Sequence, residues 1–152
     1  MRVVVQRVSE AKVEIEGRVN GAIKNGYMLL VGFKEGDDLD IVRKMADKVV
    51  NLRIFDDENG KMNYSLLKVN GSILSISQFT LYGNAKEGRR PSFVEALNPV
   101  EATKLYDLFN EELRKFNVTV ETGIFQSEMK VSLVNEGPVT IILDSDQIFV
   151  KK

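Results

Sequence analysis

The chain has 152 residues, with 21 basic and 22 acidic side chains and a formal net charge of −1, a balance typical of one globular domain. It contains no cysteine and no histidine. These absences exclude a thiolate nucleophile, a disulfide framework, a Ser-His-Asp triad and any metal site built on cysteine or histidine. The near-neutral charge offers no overall attraction for nucleic acid, so a contact with a polyanion must come from a local basic patch.

The first third of the chain alternates between predicted strands and one helix. We expect strands at 3–8 and 12–16, a turn at 17–21, and a strand buried on both faces at 27–33. Asp37 or Asp38 is suited to cap the helix that follows. The helix is predicted from apolar residues at helical spacing, namely Leu39, Val42, Met45, Ala46, Val49 and Val50. A short strand at 53–55 and an acidic turn at 56–60 come next.

The second half begins with a long strand predicted from Ser72 to Leu81, which places Ser77 and Phe79 on one face and Gln78 and Thr80 on the other. After a loop at 82–93, a second helix starts with Asn98 as N-cap and Pro99 at its first position. Its apolar stripe comprises Ala102, Leu105, Leu108, Phe109, Leu113 and Phe116. Further strands are expected at 118–121, 125–134 and 139–143, the last two separated by a break at 135–138.

Strands therefore outnumber helices several-fold, and the sequence shows neither a repeat nor a linker. We predict a single α+β domain (mixed α/β in some schemes) over residues 1–152, with β-rich, barrel-like sheets and about two helices. The longest apolar run, Met28 to Val31, is far below the roughly 20 residues that cross a bilayer. The N-terminal apolar run also ends too early for a signal peptide. We therefore expect no membrane contact and a cytoplasmic location.

Polar groups at the end of the strand at 72–81 are the first candidate site. Ser77 and Thr80 carry hydroxyls, but hydroxyls are weak nucleophiles unless a base activates them. The alternative is an exposed strand face in which threonine serves β-propensity. Lys86, Arg89 and Arg90 form a basic loop suited to phosphate, although a solvated loop explains the same charges. The acidic turn at 56–60 lacks the later glutamate that a calcium loop requires.

Several segments together resemble the D-aminoacyl-tRNA deacylase family, almost from end to end and in the expected order. The resemblance is carried by the segments 1–8 (MRVVVQRV), 51–55 (NLRIF), 60–63 (GKMN), 77–81 (SQFTL), 88–93 (GRRPSF) and 135–140 (NEGPVT). The combination of Ser-Gln-Phe-Thr with Gly-Pro-Val-Thr is specific, whereas either motif alone is weak. One departure is the segment 123–129, where Gln126 and Ser127 replace the glycine and small apolar residue that are usual.

The resemblance implies a homodimer that hydrolyses the ester between a D-amino acid, or glycine, and the terminal ribose of tRNA, without a cofactor or metal. It implies an active site at the dimer interface, with the cis Gly137-Pro138 unit inserted from the partner chain to exclude L side chains. The implied catalytic segment is Ser77, Gln78, Phe79 and Thr80. The implied substrate-binding residues are Gly137, Pro138, Val139, Thr140, Phe125 and Met129. The basic loop is expected to meet tRNA phosphates on grounds of charge alone.

The residue inventory leaves two mechanisms open. Backbone N–H groups of Phe79 and Thr80 are candidate donors to the oxyanion. Thr80 is a candidate nucleophile, but nothing in the sequence supplies its base. We favour assistance by the ribose 2′-hydroxyl, since an aminoacyl ester is already activated and positioning alone contributes several kcal/mol. A non-catalytic nucleic-acid-binding module is the alternative function, and the lack of aromatic-rich basic strands speaks against it.

Overall fold

The computed structural model describes residues 1–149 and forms one strand-rich domain. Its strands are β1 (Arg2–Ile15), β2 (Arg18–Ile23), β3 (Gly26–Gly32), β4 (Arg53–Asp56), β5 (Met62–Ser65), β6 (Ser72–Ser77), β7 (Val120–Thr122) and β8 (Lys130–Asp144). Its helices are α1 (Leu39–Asn51), α2 (Leu66–Val69), α3 (Pro99–Arg114) and α4 (Ser145–Ile148), with a 3-10 helix at Phe79–Tyr82. No helix within residues 1–149 has the length and apolar character needed to cross a membrane.

The long strand β1 organises the main sheet. Its first half pairs antiparallel with β3, and its second half pairs antiparallel with β2. The other edge of β1 is occupied along most of its length by β8. From β3 the sheet continues through parallel pairing with β6 and then β7, while β4 and β5 form a separate two-stranded sheet. This strand-rich, barrel-like sheet with helices against it confirms the predicted α+β class.

Alternation along the strands divides the apolar residues between the two faces of the sheet. Tyr27 and Leu29 of β3 belong to the larger core, which packs against α1 and α3, whereas Met28 between them belongs to a smaller cluster on the opposite face. The helix starts agree with the sequence: Asp38 accepts a hydrogen bond from the Ile41 N–H, and Asn98 accepts one from the Glu101 N–H. Both long helices were thus predicted correctly from period and capping.

Local details differ from the sequence-based expectation. The strands expected at 3–8 and 12–16 are one continuous strand, β1. The turn expected at 17–21 is confined to Glu16 and Gly17, which both have positive φ, so β2 already begins at Arg18. The single-turn helices α2 and α4 were not predicted, because one turn is too short to show a helical period.

Two strand boundaries near the candidate site were also predicted wrongly. β6 ends at Ser77 rather than Leu81, because β3 provides no partner beyond the pair Val31–Ser77 and the chain turns into the 3-10 helix. The strand expected at 125–134 begins only at Lys130. The break expected at 135–138 is instead a bulge within β8, since Gln6 pairs with Thr140 and Val8 pairs with Asn135.

Candidate active site

A cavity of about 640 Å³ opens where β6 ends. One wall is the end of that strand, Ser77, Gln78 and Phe79, and the opposite wall is the segment 125–131. The first residues of α3 and the end of β3 complete the lining. The volume is in the range of cavities that hold small molecules or the reacting end of a larger substrate. The structure therefore brings Ser77, Gln78 and Phe79 together with Phe125 and Met129, as the resemblance implied.

The lining is uncharged. Within the described part of the chain, the residues that line this cavity include no acidic, basic or tyrosine side chain. Its polar side chains are Ser77, Gln78, Asn98, Gln126 and Ser127. Asn98 is already engaged, because its side-chain oxygen accepts from the Glu101 N–H at 3.0 Å. The cavity thus offers amides, hydroxyls and backbone groups, and none of its side chains has the pKa of a general base at neutral pH.

The 3-10 helix fixes the conformation of the Ser-Gln-Phe-Thr segment. The Gln78 N–H donates to the Val31 carbonyl at 2.7 Å, and the Leu81 N–H donates back to the Gln78 carbonyl at 3.2 Å. The N–H groups of Phe79 and Thr80 stand at the start of this helix, where no carbonyl of the same helix is available to them. Both donors predicted for an oxyanion are therefore left unpaired by the helix itself.

The side chains of this segment do not alternate as the strand prediction required. Thr80 is exposed and lies outside the cavity lining, and its hydroxyl accepts a hydrogen bond from the Gln78 amide. Phe79 is 55% exposed and meets Phe93 edge-on, with ring centroids 5.3 Å apart. Phe79 consequently forms part of the rim of the cavity rather than its interior.

The facing wall is built on a tight turn. The Ser127 N–H donates to the Ile124 carbonyl at 3.1 Å, and Phe125 enters the lining beside Tyr106, with ring centroids 6.3 Å apart. Burial raises the pKa of Tyr106, so its hydroxyl stays protonated and donates to the Ser75 carbonyl at 2.6 Å. Tyr106 thereby connects α3 with β6 behind the cavity.

The Gly-Pro-Val-Thr segment lies outside this cavity in a single chain. None of Gly137, Pro138, Val139 or Thr140 belongs to the lining, and Pro138 is exposed on the bulge of β8. The Gly137-Pro138 peptide bond is cis, as the resemblance implied. Asn135 stabilises the bulge from within, since its oxygen accepts from the Val139 N–H at 2.8 Å and its amide donates to the Thr140 hydroxyl at 2.9 Å.

Arg7 holds the same bulge from β1, and it was not among the residues predicted from the sequence. Its guanidinium donates to the Glu136 carbonyl at 2.9 Å and to the buried Ile54 carbonyl at 2.7 Å, and it approaches Asp56 at 3.4 Å. Gly137 has a φ of +133°, and a Cβ there would lie 2.9 Å from the Arg7 guanidinium. The available signal was an arginine beside the valines at the start of β1, because a charge that is buried there requires partners.

The basic loop is separate from the cavity. Lys86, Arg89 and Arg90 are exposed and do not belong to its lining. The base of the loop is closed by paired hydrogen bonds between Asn84 and Ser92, at 2.7 and 2.8 Å. The loop therefore presents its three cations to solvent, where they are accessible to phosphate.

The fold and cavity define a class: a small α+β domain with an uncharged cavity at a strand end, beside unpaired backbone donors. The family model described as D-Tyr-tRNA(Tyr) deacylase matches residues 4–144. The chain is 53% identical to a D-aminoacyl-tRNA deacylase of Thermosipho africanus over 149 residues, covering 98% of this chain and 100% of that protein. It is 57% identical to one of Lactobacillus gasseri over 144 residues, covering 95% and 99%.

A solved structure named c-Myc DNA unwinding element binding protein is also similar. It shares 38% identity with a TM-score of 0.89, and the match covers 95% of this chain and 99% of that one. The fold is thus the same from end to end. Together with the family match, these similarities show that the chain belongs to the D-Tyr-tRNA(Tyr) deacylase family.

Proposed function

We propose that this chain hydrolyses the ester bond of D-aminoacyl-tRNA, releasing the free D-amino acid and tRNA, and that it also acts on glycyl-tRNA mischarged on tRNA(Ala). Membership in the family supports the deacylase activity itself. The observation that carries the proposal is the uncharged cavity beside the unpaired N–H groups of Phe79 and Thr80. Such a site suits an activated ester, which needs a positioned water and oxyanion donors more than a strong base.

The mechanism we propose takes its assistance from the substrate. A water oxygen adds to the ester carbonyl, the C–O bond to the ribose breaks, and the proton from water ends on the departing ribose oxygen. The Phe79 and Thr80 N–H groups stabilise the negative charge on the carbonyl oxygen. The chain has no histidine or cysteine, and the cavity lining within residues 1–149 has no ionisable side chain that could take a proton from the water. We therefore assign the activation of the water and the relay of its proton to the neighbouring ribose 2′-hydroxyl.

Thr80 supports the site in this mechanism without acting as the nucleophile. Its hydroxyl already accepts a hydrogen bond from the Gln78 amide, and that amide cannot take a proton from it. Attack by a hydroxyl requires a base to remove its proton. The Thr80 side chain therefore serves to hold the Gln78 side chain and the start of the 3-10 helix in place.

The active unit we propose is a homodimer in which the Gly137-Pro138 bulge of each chain completes the cavity of the other. The bulge is exposed, lies outside the cavity of its own chain, and is fixed by Arg7 and Asn135. The neighbouring part of β8 also exposes an apolar side chain, Ile142, which is 68% accessible. A buried interface with a second copy would remove such apolar surface from water.

Chirality follows from this arrangement by exclusion. Backbone carbonyls of a fixed bulge would face the α-amino group of the substrate and leave no room for an L side chain. Glycine has no side chain to exclude, so glycyl-tRNA is expected to be a substrate as well. We place the reaction in the cytoplasm, together with the charged tRNA that we propose as its substrate.

The test compares tRNA(Tyr) charged with D-tyrosine or L-tyrosine, and tRNA(Ala) charged with glycine. We expect release of D-tyrosine and glycine and retention of the L ester. Release of the L ester at the D rate would refute exclusion of L side chains. Failure to hydrolyse any of the three, with tRNA binding retained, would favour the alternative of a nucleic-acid-binding module, and the similar structure above is named for binding a DNA element.

The basic loop supplies a separate prediction. Neutralising Lys86, Arg89 and Arg90 to alanine together should weaken binding of every tRNA to a similar degree, since phosphate contacts carry no sequence information. The slope of log affinity against log salt should become shallower by roughly 0.7–0.9 for each phosphate that the variant no longer neutralises. The measurement is a salt titration of tRNA binding.

The matched control also removes three positive charges, but from α1, by replacing Arg43, Lys44 and Lys48 with alanine. This control should change the salt dependence less, because it alters net charge without touching the loop. If the loop variant and the unaltered chain bind tRNA with the same affinity and the same salt dependence, the loop does not contact tRNA.

A further inference from the structure

The turn that forms one wall of the cavity contains a residue in an unfavourable conformation. Residues 124–127 form a β-turn closed by the bond from the Ser127 N–H to the Ile124 carbonyl, and its third residue, Gln126, has a φ of +65°. Type II turns require a positive φ at this position, which glycine or asparagine normally fills. Any residue larger than glycine costs conformational free energy at this position. The turn itself therefore does not favour glutamine, and the Gln126 side chain is expected to have a role outside the turn.

The surroundings of Gln126 indicate what that side chain can do. Gln126 lines the cavity and is exposed, whereas Phe125 and Met129 of the same wall are half-buried. The other primary amides of the lining are already engaged: Gln78 donates to Thr80, and the Asn98 oxygen caps α3. Gln126 therefore places a hydrogen-bonding amide at the mouth of an otherwise largely apolar wall.

Because the Gln126 amide lies at the opening of the cavity, it can contact only a part of the substrate that lies there. An aminoacyl ester held beside the Phe79 and Thr80 N–H groups leaves its nucleoside towards the opening of the cavity. That nucleoside is the adenosine present at the end of every tRNA. A glutamine amide is complementary to adenine, because it can accept from the exocyclic N6 amine and donate to ring nitrogen N7 at the same time.

We propose that Gln126 is a substrate-binding residue that binds the terminal adenine of the tRNA through its side-chain amide. This inference rests on the proposed function, because it assumes that the aminoacyl end of a tRNA enters the cavity. The contact is made equally in the bound substrate and in the transition state, so it acts on substrate binding more than on the chemical step. Removing the amide should therefore raise KM and leave kcat nearly unchanged.

The experiment measures kcat and KM for D-tyrosyl-tRNA with two variants of one residue. Gln126→Leu keeps the approximate size of the side chain and removes the amide, and we expect KM to rise by about 3- to 10-fold, the contribution of one or two uncharged hydrogen bonds. Gln126→Gly should raise KM similarly without lowering Tm, because glycine adopts the positive φ freely. An unchanged KM in Gln126→Leu, or a lowered Tm in Gln126→Gly, would overturn the proposal.

A substrate ending in 7-deazaadenosine tests the contact from the other side. It lacks the N7 acceptor, so KM of the unaltered chain should rise, whereas Gln126→Leu should be insensitive to the change because it has no amide to donate to N7. Additive effects would place the adenine elsewhere and overturn the proposal. Glu16→Gly is the matched control, since Glu16 also has a positive φ of 51° but lies outside the cavity lining, and its KM should not change. If the unaltered chain hydrolyses no D-aminoacyl-tRNA, the proposed function itself fails, and this inference fails with it.

Discussion

Replacing the 2′-hydroxyl of the terminal ribose by hydrogen is expected to lower the enzyme-catalysed rate by roughly 10²- to 10⁴-fold, the usual contribution of a positioned proton-transfer group. Thr80→Ala should lower kcat much less, by about 10-fold or under, because it removes one uncharged hydrogen bond with Gln78. The contrast follows from the cavity, whose lining within residues 1–149 contains no side chain able to act as a base. Single-turnover hydrolysis of D-tyrosyl-tRNA ending in adenosine or 2′-deoxyadenosine measures the effect.

Two controls make this comparison decisive. The uncatalysed hydrolysis of both esters must be measured in parallel, because the 2′-hydroxyl also affects the reaction in water. Thr80→Ser retains the hydroxyl and should keep the activity of the unaltered chain. Near-complete loss of turnover in Thr80→Ala with intact substrate binding, together with normal turnover of the deoxy substrate, would establish Thr80 as the nucleophile and rule out assistance by the ribose.

Arg7 is expected to control both the stability of the bulge and the selection of chirality. Arg7→Met leaves the carbonyls of Ile54 and Glu136 without their donor. The loss should cost roughly 1–3 kcal/mol of unfolding free energy at the buried Ile54 carbonyl and less at the part-buried Glu136 carbonyl. Movement of the bulge by about 1 Å is enough to cost on the order of 10²-fold in turnover. Denaturant unfolding and kcat/KM for D-tyrosyl-tRNA are the two measurements.

A purely structural role for Arg7 would not alter the ratio between the two enantiomers. We expect Arg7→Lys, which keeps the charge but loses the planar fork, to release L-tyrosine faster relative to D-tyrosine than the unaltered chain does. Asp56→Asn is the control, because Asp56 is half-exposed and lies 3.4 Å from Arg7, and loss of that pair should cost at most about 1 kcal/mol. An unchanged D-to-L ratio in Arg7→Lys would limit Arg7 to folding.

Much of the architecture was predictable because it depends on local chemistry. The α3 helix begins at Pro99 after the Asn98 cap, as its sequence indicates, and β3 is buried on both faces, as its continuous apolar run indicates. The strand ends were not predictable in the same way. β6 ends at Ser77 because β3 offers no further pairing. The residues of the segment 72–81 alone do not indicate where a neighbouring strand ends.

The candidate site likewise contains residues that the sequence identified and residues that depend on contacts between distant segments. The motif residues Ser77, Gln78, Phe79, Phe125 and Met129 were identified from the resemblance, and the structure places them around one cavity. Arg7 was missed because its acceptors, the carbonyls of Ile54 and Glu136, are 47 and 129 residues away in the sequence. Gln126 was noticed as a departure from the family pattern, but its positive φ became known only from the turn that contains it.

By itself, the sequence determined which chemistry is unavailable: without histidine or cysteine, an imidazole base, a thiolate nucleophile and a metal site built on these two residues are absent. It also determined the two long helices and the family, since capping, period and motifs are local properties. Only the tertiary structure decided that the cavity is uncharged and that the Phe79 and Thr80 N–H groups are left unpaired at its edge. It also placed the Gly137-Pro138 bulge outside that cavity. These properties depend on which distant segments pack together, and long-range packing is set by burial of the whole core rather than by any one segment.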